Sequence, residues 1–260
     1  KVKIDNPAPV VRFSDVNFAY EDGITVLENI NFSLEAGDYA CIVGPNGCGK
    51  TTLLKLILGL LKPVSGSISV LGKPPGHAQA QIGYVPQFSK FDAGFPVKVL
   101  DVVLMGCLCR SFFWGRYSDE QVEKARRALA AVGLHGKDER GFAGLSGGQK
   151  QRALIARAMV SEPRLILLDE PTASVDVAGT EQFYSMFEEL NQRFTILMVS
   201  HDVGFISSRV KSVLCVRKTL QIHPVSELTG EALQNIYGVD VSIIRHDHRC
   251  SDKGHICPHS

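Results

Sequence analysis

Residues 44–51 are Gly44-Pro45-Asn46-Gly47-Cys48-Gly49-Lys50-Thr51, and they fit the pattern G-x-x-x-x-G-K-[ST] of a phosphate-binding loop. Residues 39–43 before the loop have the composition of a buried strand, and residues 52–61 after it have that of a helix. Glycines let such a loop turn its backbone N–H groups toward a polyphosphate, and the start of the helix adds partial positive charge. We therefore expect an α/β fold with a nucleotide site at this loop.

Two side chains of the loop are candidates for direct contacts with phosphate and metal. Lys50 is expected to reach the β- and γ-phosphates of a nucleotide, and Thr51 is expected to hold Mg²⁺. An ordinary glycine-rich turn is the alternative. The strand before the loop and the helix after it make that alternative the weaker one.

A second nucleotide element lies at residues 165–170, Leu-Ile-Leu-Leu-Asp-Glu. An apolar run that ends in acid is typical of a central parallel strand, and ligands bind at the carboxyl ends of such strands. Asp169 would orient the Mg²⁺ shell, and Glu170 would face the γ-phosphate and polarise a water molecule. A solvated strand end would explain these acids if they stood alone, but the upstream loop favours a catalytic role.

Residues 145–149, which we call the signature segment, are Leu145-Ser146-Gly147-Gly148-Gln149. We expect them to open a helix over residues 149–160, whose N-terminal end is a second anion site. Two anion sites that lie far apart in one chain reach the same γ-phosphate only when two copies meet head to tail. The sequence therefore predicts ATP-dependent dimerisation. A flexible Ser-Gly-Gly linker is the alternative, and the Ala-rich apolar run that follows disfavours it.

These motifs, in this order, resemble those of the ATP-binding subunit of an ABC transporter over residues 10–240. The resemblance implies that Tyr20 stacks on adenine, that Gln87 touches Mg²⁺ and senses a membrane partner, and that His201 contacts the γ-phosphate. It implies that residues 173–176 cross a dimer interface and that the chain hydrolyses ATP with Mg²⁺ as cofactor. The implied catalytic residues are Lys50, Glu170 and His201, and the implied Mg²⁺ contacts are Thr51, Gln87 and Asp169. The implied nucleotide contacts are Tyr20, Gly44, Pro45, Asn46, Gly47, Cys48, Gly49, Lys50, Thr51, Thr52, Gln87, Ser146, Gly147, Gly148 and Gln149.

The resemblance also implies an architecture: a P-loop ABC-type α/β ATPase core with a mixed sheet and flanking helices, an antiparallel β subdomain and a small helical subdomain. We expect residues 1–240 to form one ATPase domain, with the helical subdomain inserted at residues 88–160, and residues 241–260 to form a flexible tail. The local patterns predict strands within 10–35, at 67–71, 81–85, 194–199 and 212–222, and helices within 97–133 and at 179–192.

Composition indicates a compact cytoplasmic chain. Its 260 residues are 45% hydrophobic, and the formal net charge is +1. The sequence has no uninterrupted apolar stretch as long as a membrane span. Near-neutral charge argues against a general nucleic-acid binder. Seven cysteines without framework spacing are expected to be reduced. We expect a peripheral protein on the cytoplasmic face of the inner membrane.

Cys48 supports a narrower expectation. It lies at a predicted helix N-terminus near Lys50, an environment that lowers the pKa of a thiol. We therefore expect maleimide modification of Cys48 to block hydrolysis and ATP to protect against it. A buried, unreactive thiol is the alternative, and the sequence favours neither.

Two aromatic-rich segments suggest a membrane partner. Residues 88–95 contain three phenylalanines, and residues 111–115 are Ser-Phe-Phe-Trp-Gly. One interpretation is that both segments pack into the core of the helical subdomain. The other is a groove that receives a cytoplasmic helix of an integral membrane permease subunit, and in the ABC family that groove lies just after the glutamine matched here by Gln87.

The cargo is suggested by local similarity at residues 91–97, 102–106 and 236–240, which resemble the zinc, manganese and iron uptake branch of the family. The chain would then power import of a divalent transition metal, zinc first and manganese or iron next, delivered by an extracytoplasmic metal-binding protein. The alternatives are an importer for another small solute and a cytosolic ABC ATPase without a transport role. The latter class usually carries a second cassette, a coiled-coil insertion or strongly basic segments, and this sequence has none.

The end of the chain is rich in metal-ligating side chains. Imidazole and thiolate groups suit Zn²⁺ and related ions, although the spacing matches no tight finger pattern. Weak metal binding by the tail is one hypothesis, and a polar tail without a role is the other. The candidate ligands are His246, His248, Cys250, His255, Cys257 and His259.

Overall fold

A computed structural model describes residues 8–21, 23–87, 96–107, 117–173, 175, 177–201 and 209–225. The strands in these ranges are β1 (Val11–Ala19), β2 (Thr25–Leu34), β3 (Tyr39–Val43), β4 (Ser65–Val70), β5 (Ile82–Val85), β6 (Leu165–Asp169), β7 (Thr195–Val199), β8 (Ser212–Val216) and β9 (Leu220–Pro224). The α-helices are α1 (Lys50–Ile57), α2 (Val99–Leu104), α3 (Asp119–Ala131), α4 (Gly147–Met159) and α5 (Val177–Asn191).

The strands form two sheets. One is antiparallel, with the order β2-β1-β4, and the other has six strands in the order β5-β6-β7-β3-β8-β9. In the larger sheet, neighbouring strands from β5 to β8 run parallel, and β9 runs antiparallel to β8. The predicted α/β class, with a mixed sheet, flanking helices and a separate antiparallel sheet, is confirmed.

The central strands β3, β6 and β7 of the larger sheet are buried on both faces, which explains their apolar sequences. Along β3, Cys41 packs on the face covered by α2–α5, and Ile42 packs on the face covered by α1 and the antiparallel sheet. Along β6, Leu168 and Leu167 alternate in the same way. Continuous apolar runs are what parallel strands with two covered faces require. The sheet therefore holds the carboxyl ends of β5, β6 and β7 side by side at one edge.

Most predicted elements match the structure, although several of their ends are shifted. Helix α1 ends at Ile57, and the predicted end at residue 61 is wrong, because Gly59 adopts φ +73° and Leu60 N–H donates to the Lys55 carbonyl. Helix α4 begins at Gly147, two residues before the predicted start. The predicted final β segment is the hairpin formed by β8 and β9.

The burial of the Gln151 side chain in α4 leads to a prediction about the stability of the fold. Its side chain is 1% exposed, and neither amide atom has a hydrogen-bond partner within the described residues. An unpaired buried polar group costs about 1–3 kcal/mol. Gln151→Met keeps the length and removes that cost, so we expect the free energy of unfolding to rise by about 1–2 kcal/mol in urea denaturation.

The matched control is Gln192→Met, because Gln192 is exposed. That substitution should change the free energy of unfolding by less than about 0.5 kcal/mol. A loss of stability in Gln151→Met would show that the amide is hydrogen bonded in solution and would contradict the prediction.

Candidate active site

The phosphate-binding loop connects β3 to α1 and depends on its glycines. Gly49, the N-cap of α1, has φ +105°, and a Cβ there would lie 2.8 Å from the Leu27 side chain. A Cβ on Gly44, which has φ +154°, would overlap the Val216 carbonyl. Both positions therefore need glycine for backbone conformation and for close packing. The result is a loop held tightly between the β1–β2 hairpin and the β8–β9 hairpin.

Lys50 points into this loop. Its side chain is 6% exposed, and its Nζ donates to the carbonyl oxygens of Gly44 and Pro45, each at 2.9 Å. An ammonium group has three N–H donors. Two of them are held by loop carbonyls, which fixes the charge inside the loop and leaves one donor for an anion bound over the helix N-terminus.

Thr51 and Asp169 form an oxygen-rich pair beside the loop. The Thr51 hydroxyl donates to Asp169 Oδ1 at 3.4 Å, and Asp169 is 2% exposed. Burial raises the pKa of Asp169 above its ordinary value, while the Thr51 hydrogen bond and the positive charge of Lys50 act in the opposite direction. Hydroxyl and carboxylate oxygens are the donors that Mg²⁺ prefers, so this pair fits the cation that the sequence predicts.

Glu170 is held by two side chains from neighbouring strands. Gln87 Nε2 donates to Glu170 Oε2 at 2.7 Å, and His201 Nε2 lies 2.5 Å from Glu170 Oε1. Gln87, Glu170 and His201 follow β5, β6 and β7, which are adjacent in the sheet. Glu170 itself has φ +49°, and its N–H donates to the Val199 carbonyl. The ends of three parallel strands therefore bring an amide, a carboxylate and an imidazole into direct contact.

Tyr20 lies on the other side of the loop. Its hydroxyl is 3.0 Å from the Thr52 hydroxyl, and its ring meets the Phe18 ring edge-on at 4.9 Å. The side chain is 41% exposed, which leaves ring surface open to a ligand. An aromatic face beside a phosphate-binding loop can stack on a base.

One cavity of about 630 Å³ joins these groups, within the usual range for small-molecule sites. Among its lining residues, all except Val26 were predicted from the sequence as nucleotide contacts or catalytic groups. Val26 follows Thr25, which pairs with Ala19 in the β1–β2 hairpin, and this pairing is the signal that could have identified it. The lining residues are Tyr20, Val26, Asn46, Gly47, Gly49, Lys50, Thr51, Thr52, Gln87, Glu170 and His201.

The signature segment is not part of this cavity. Ser146 caps α4: its Oγ accepts from Gln149 N–H, and Gln149 Oε1 accepts from Ser146 N–H, each at 3.3 Å. Ser146 and Gly147 are exposed at the start of the helix. Within one chain, the two predicted anion sites therefore remain separate.

The family model described as ABC transporter matches residues 27–173, more than half of the chain. The chain belongs to the ABC transporter family. It is an ATP-binding subunit with the ATPase domain of that family. The chain is 41% identical, over 79% of its length and 87% of the relative's, to a Chlamydia trachomatis protein named "Probable metal transport system ATP-binding protein".

Two further proteins similar to this ABC transporter subunit are themselves named for metal uptake or metal-chelate transport. It is 38% identical to the zinc uptake system ATP-binding protein ZurA of Listeria innocua, over 81% of this chain and 84% of that protein. A solved structure of a metal-chelate type ABC transporter in an inward-facing conformation has a TM-score of 0.80 and 32% identity, and the match covers 90% of each chain.

The lowered pKa expected for the Cys48 thiol of this ABC transporter subunit is wrong, whereas the effect of its modification on hydrolysis stays a prediction. Burial raises the pKa of the Cys48 thiol, although the Lys50 charge and backbone N–H groups act to lower it. Burial outweighs them, and Lys50 points its charge at the loop carbonyls. At pH 7 the thiolate fraction is therefore below that of a free cysteine, whose pKa is about 8.5.

We expect maleimide to modify Cys48 more slowly than glutathione at pH 7, with a rate that still rises above about pH 8.5. Mass spectrometry of the peptide that contains Cys48, over a series of pH values, measures this. A rate that is already constant below pH 8 would contradict the raised pKa. A Cys48→Ser chain is the control that assigns any loss of hydrolysis to this thiol.

Several predicted features lie outside the described residues. They are the aromatic segments 88–95 and 111–115, two residues of the 173–176 loop, and the tail with its histidines and cysteines. In the described part of the ABC transporter subunit, no cluster of three or more His, Cys, Asp or Glu side chains could hold a metal ion. Likewise, no described helix has the length and hydropathy needed to cross a bilayer.

Proposed function

We propose that this chain is the ATP-hydrolysing subunit of an importer for a divalent transition metal, with zinc the first candidate and manganese or iron the next. The observation that carries the proposal is the contact of Gln87, Glu170 and His201 beside the phosphate-binding loop. The metal cargo is supported by relatives named for metal transport and zinc uptake at 38–41% identity.

The nucleotide would lie along the cavity, with adenine against Tyr20 and the phosphates over the start of α1. Loop N–H groups, the helix N-terminus and the remaining Lys50 donor would bind the β- and γ-phosphates. Thr51, Asp169 and Gln87 would hold Mg²⁺, which would neutralise negative charge on the phosphates when bound. The donor set beside the loop supports this arrangement.

Glu170 would act as the general base. Its carboxylate is fixed by Gln87 and His201, and a water molecule that replaces one of these contacts would meet a preoriented acceptor for its proton. His201 would then contact the γ-phosphate, and Gln87, at the end of an adjacent strand, would report the state of the membrane partner. Each role uses a side chain that already lines the cavity.

The active assembly would contain two copies arranged head to tail. The signature segment of each copy would face the nucleotide bound by the other, because its exposed helix start is an anion site outside its own cavity. The dimer would bind integral membrane permease subunits at the cytoplasmic face of the inner membrane, and an extracytoplasmic protein would deliver the metal. Nucleic acid is not a partner in this scheme.

The cargo is tested by metal uptake into lipid vesicles that contain this chain, its permease and its binding protein. We expect ATP-dependent uptake of radioactive zinc that excess unlabelled zinc abolishes, with Mn²⁺ and Fe²⁺ as weaker competitors. Uptake of manganese or iron without zinc would change the transported ion but keep the chain among the importers of divalent transition metals. ATP hydrolysis without uptake of any of these metals would reject metal import.

We also propose that residues 1–240 form one ATPase domain. The tail that follows would bind metal weakly through its histidines and cysteines, from His246 to His259. These side chains suit Zn²⁺. Removal of residues 246–260 should reduce zinc binding in isothermal titration. Equal zinc affinity with and without the tail would end this part of the proposal.

A further inference from the structure

The guanidinium group of Arg152 joins three segments of the chain. Its Nη1 donates to the Val132 carbonyl at 3.2 Å, and its Nη2 donates to Gln182 Oε1 at 3.0 Å. The guanidinium carbon also lies 5.1 Å from the centre of the Phe183 ring. Arg152 belongs to α4, Val132 is the C-cap residue after α3, and the other two residues belong to α5. One side chain of α4 therefore contacts both the end of α3 and helix α5.

The end of α3 is shaped to receive this group. Gly133 adopts φ +72°, and the Gly133 and Leu134 N–H groups donate to the Ala130 and Leu129 carbonyls, so the chain turns sharply after the helix. A Cβ on Gly133 would lie 2.8 Å from Arg152 Nη1. The Val132 carbonyl stands at a helix C-terminus, where partial negative charge favours a cation. The turn at Gly133 and the partial negative charge at the end of α3 therefore both favour a guanidinium group at this position.

The contact with α5 connects the signature segment with the region that follows Glu170. Helix α5 begins shortly after Glu170, and its Phe183 is 1% exposed. The same ring borders the signature segment, since a Cβ on Gly148 would lie 3.9 Å from it. Arg152 and Gly148 therefore lie against the same buried aromatic ring. This contact positions the start of α4 against α5, the helix that follows the strand ending before Glu170.

We propose that Arg152 is a positioning residue that holds the signature segment in register with α5, so that the segment meets the nucleotide bound by the second copy. The inference rests on the proposed head-to-tail dimer. In such a dimer, each chain contributes its catalytic strand to one site and its signature segment to the other. Arg152 would be the side chain that connects these two parts of the chain. Arg152 does not line the cavity of its own chain. We therefore expect it to affect the site that forms between two copies and not nucleotide binding by one copy.

The test measures dimerisation and monomer binding separately. In a Glu170→Gln chain, Arg152→Met should raise the ATP concentration for half-maximal dimerisation, followed by light scattering, by about tenfold or more, since charge-assisted hydrogen bonds contribute about 1.5–3 kcal/mol. Affinity for ADP, measured by fluorescence with a labelled analogue, should stay within about twofold, because Arg152 does not line the cavity in which one chain would bind ADP.

Two further variants separate positioning from folding. Gln182→Ala removes only the exposed acceptor on α5 and should shift dimerisation in the same direction by a smaller factor. Arg152→Lys should fall between the native chain and Arg152→Met, since an ammonium cannot reproduce the two-directional fork. Arg126→Met, a surface arginine paired with Asp138 in the same region, is the control expected to leave dimerisation unchanged.

Each result decides the inference. Unchanged dimerisation in both Arg152→Met and Gln182→Ala would overturn it. A parallel loss of ADP affinity and thermal stability in Arg152→Met would also overturn it, because Arg152 would then only hold the fold together. If the Glu170→Gln chain with Arg152 intact does not dimerise with ATP, the head-to-tail arrangement itself fails, and the positioning role falls with it.

Discussion

Glu170→Gln is expected to lower the rate of ATP hydrolysis by at least about a hundredfold and to leave ATP binding intact, since general bases contribute about 10²–10⁴ in rate. The amide keeps the shape of the carboxylate but cannot accept the proton of the attacking water. Gln87 lies 2.7 Å from one Glu170 oxygen and can still donate to the amide oxygen, so the pocket should keep its geometry. Retained binding without turnover should trap the ATP-bound dimer.

Steady-state phosphate release and equilibrium ATP binding measure the two parts of this prediction. Glu189→Gln is the matched control, because Glu189 is an exposed glutamate on α5. It should hydrolyse ATP at the native rate. Near-normal turnover of Glu170→Gln would remove Glu170 from the role of base.

Lys50→Met should weaken ATP binding by at least about tenfold and lower kcat/KM by at least about a hundredfold. The Lys50 ammonium is buried, and two of its donors are fixed by loop carbonyls, so its charge stands at the place where the phosphates must lie. Methionine fills the same space without charge. The loop carbonyls of Gly44 and Pro45 then lose their donor and repel a polyphosphate.

The control for this prediction is Lys62→Met, since Lys62 is exposed after α1. Titration with a fluorescent ATP analogue gives the affinity, and thermal unfolding shows whether the variant keeps its fold. Native ATP affinity in a folded Lys50→Met chain would show that the ammonium does not bind phosphate.

Most of the predicted loop and strand-end residues line the cavity because they lie in short motifs at strand ends, whereas the signature segment lies outside it. The family resemblance implied that Gln87, Glu170 and His201 serve one nucleotide, and parallel strands bring their carboxyl ends to one edge of the sheet. Their direct contacts could not be predicted. Which side chain bonds to which depends on strand order in space, and the sequence does not state that β5, β6 and β7 are neighbours.

The wrong expectations share a physical cause. For Cys48, the sequence shows the nearby charge of Lys50 but not the burial that outweighs it. For α1, the apolar pattern continues past the helix end, whereas Gly59 turns the chain where it packs against Gly76. Burial and close packing depend on residues distant in sequence. The same holds for Arg152, whose partners at residues 132 and 182 lie 20 and 30 positions away.

Metal import driven by ATP hydrolysis in this chain is tested most directly by an ATPase assay in vesicles. ATP hydrolysis is measured in vesicles that contain the chain with its permease, before and after addition of the binding protein loaded with Zn²⁺, Mn²⁺ or Fe²⁺, with the Glu170→Gln chain as the blank. We predict stimulation by the zinc-loaded protein, little by the metal-free protein, and none with the Glu170→Gln chain. Hydrolysis that no metal-loaded binding protein stimulates would contradict the account.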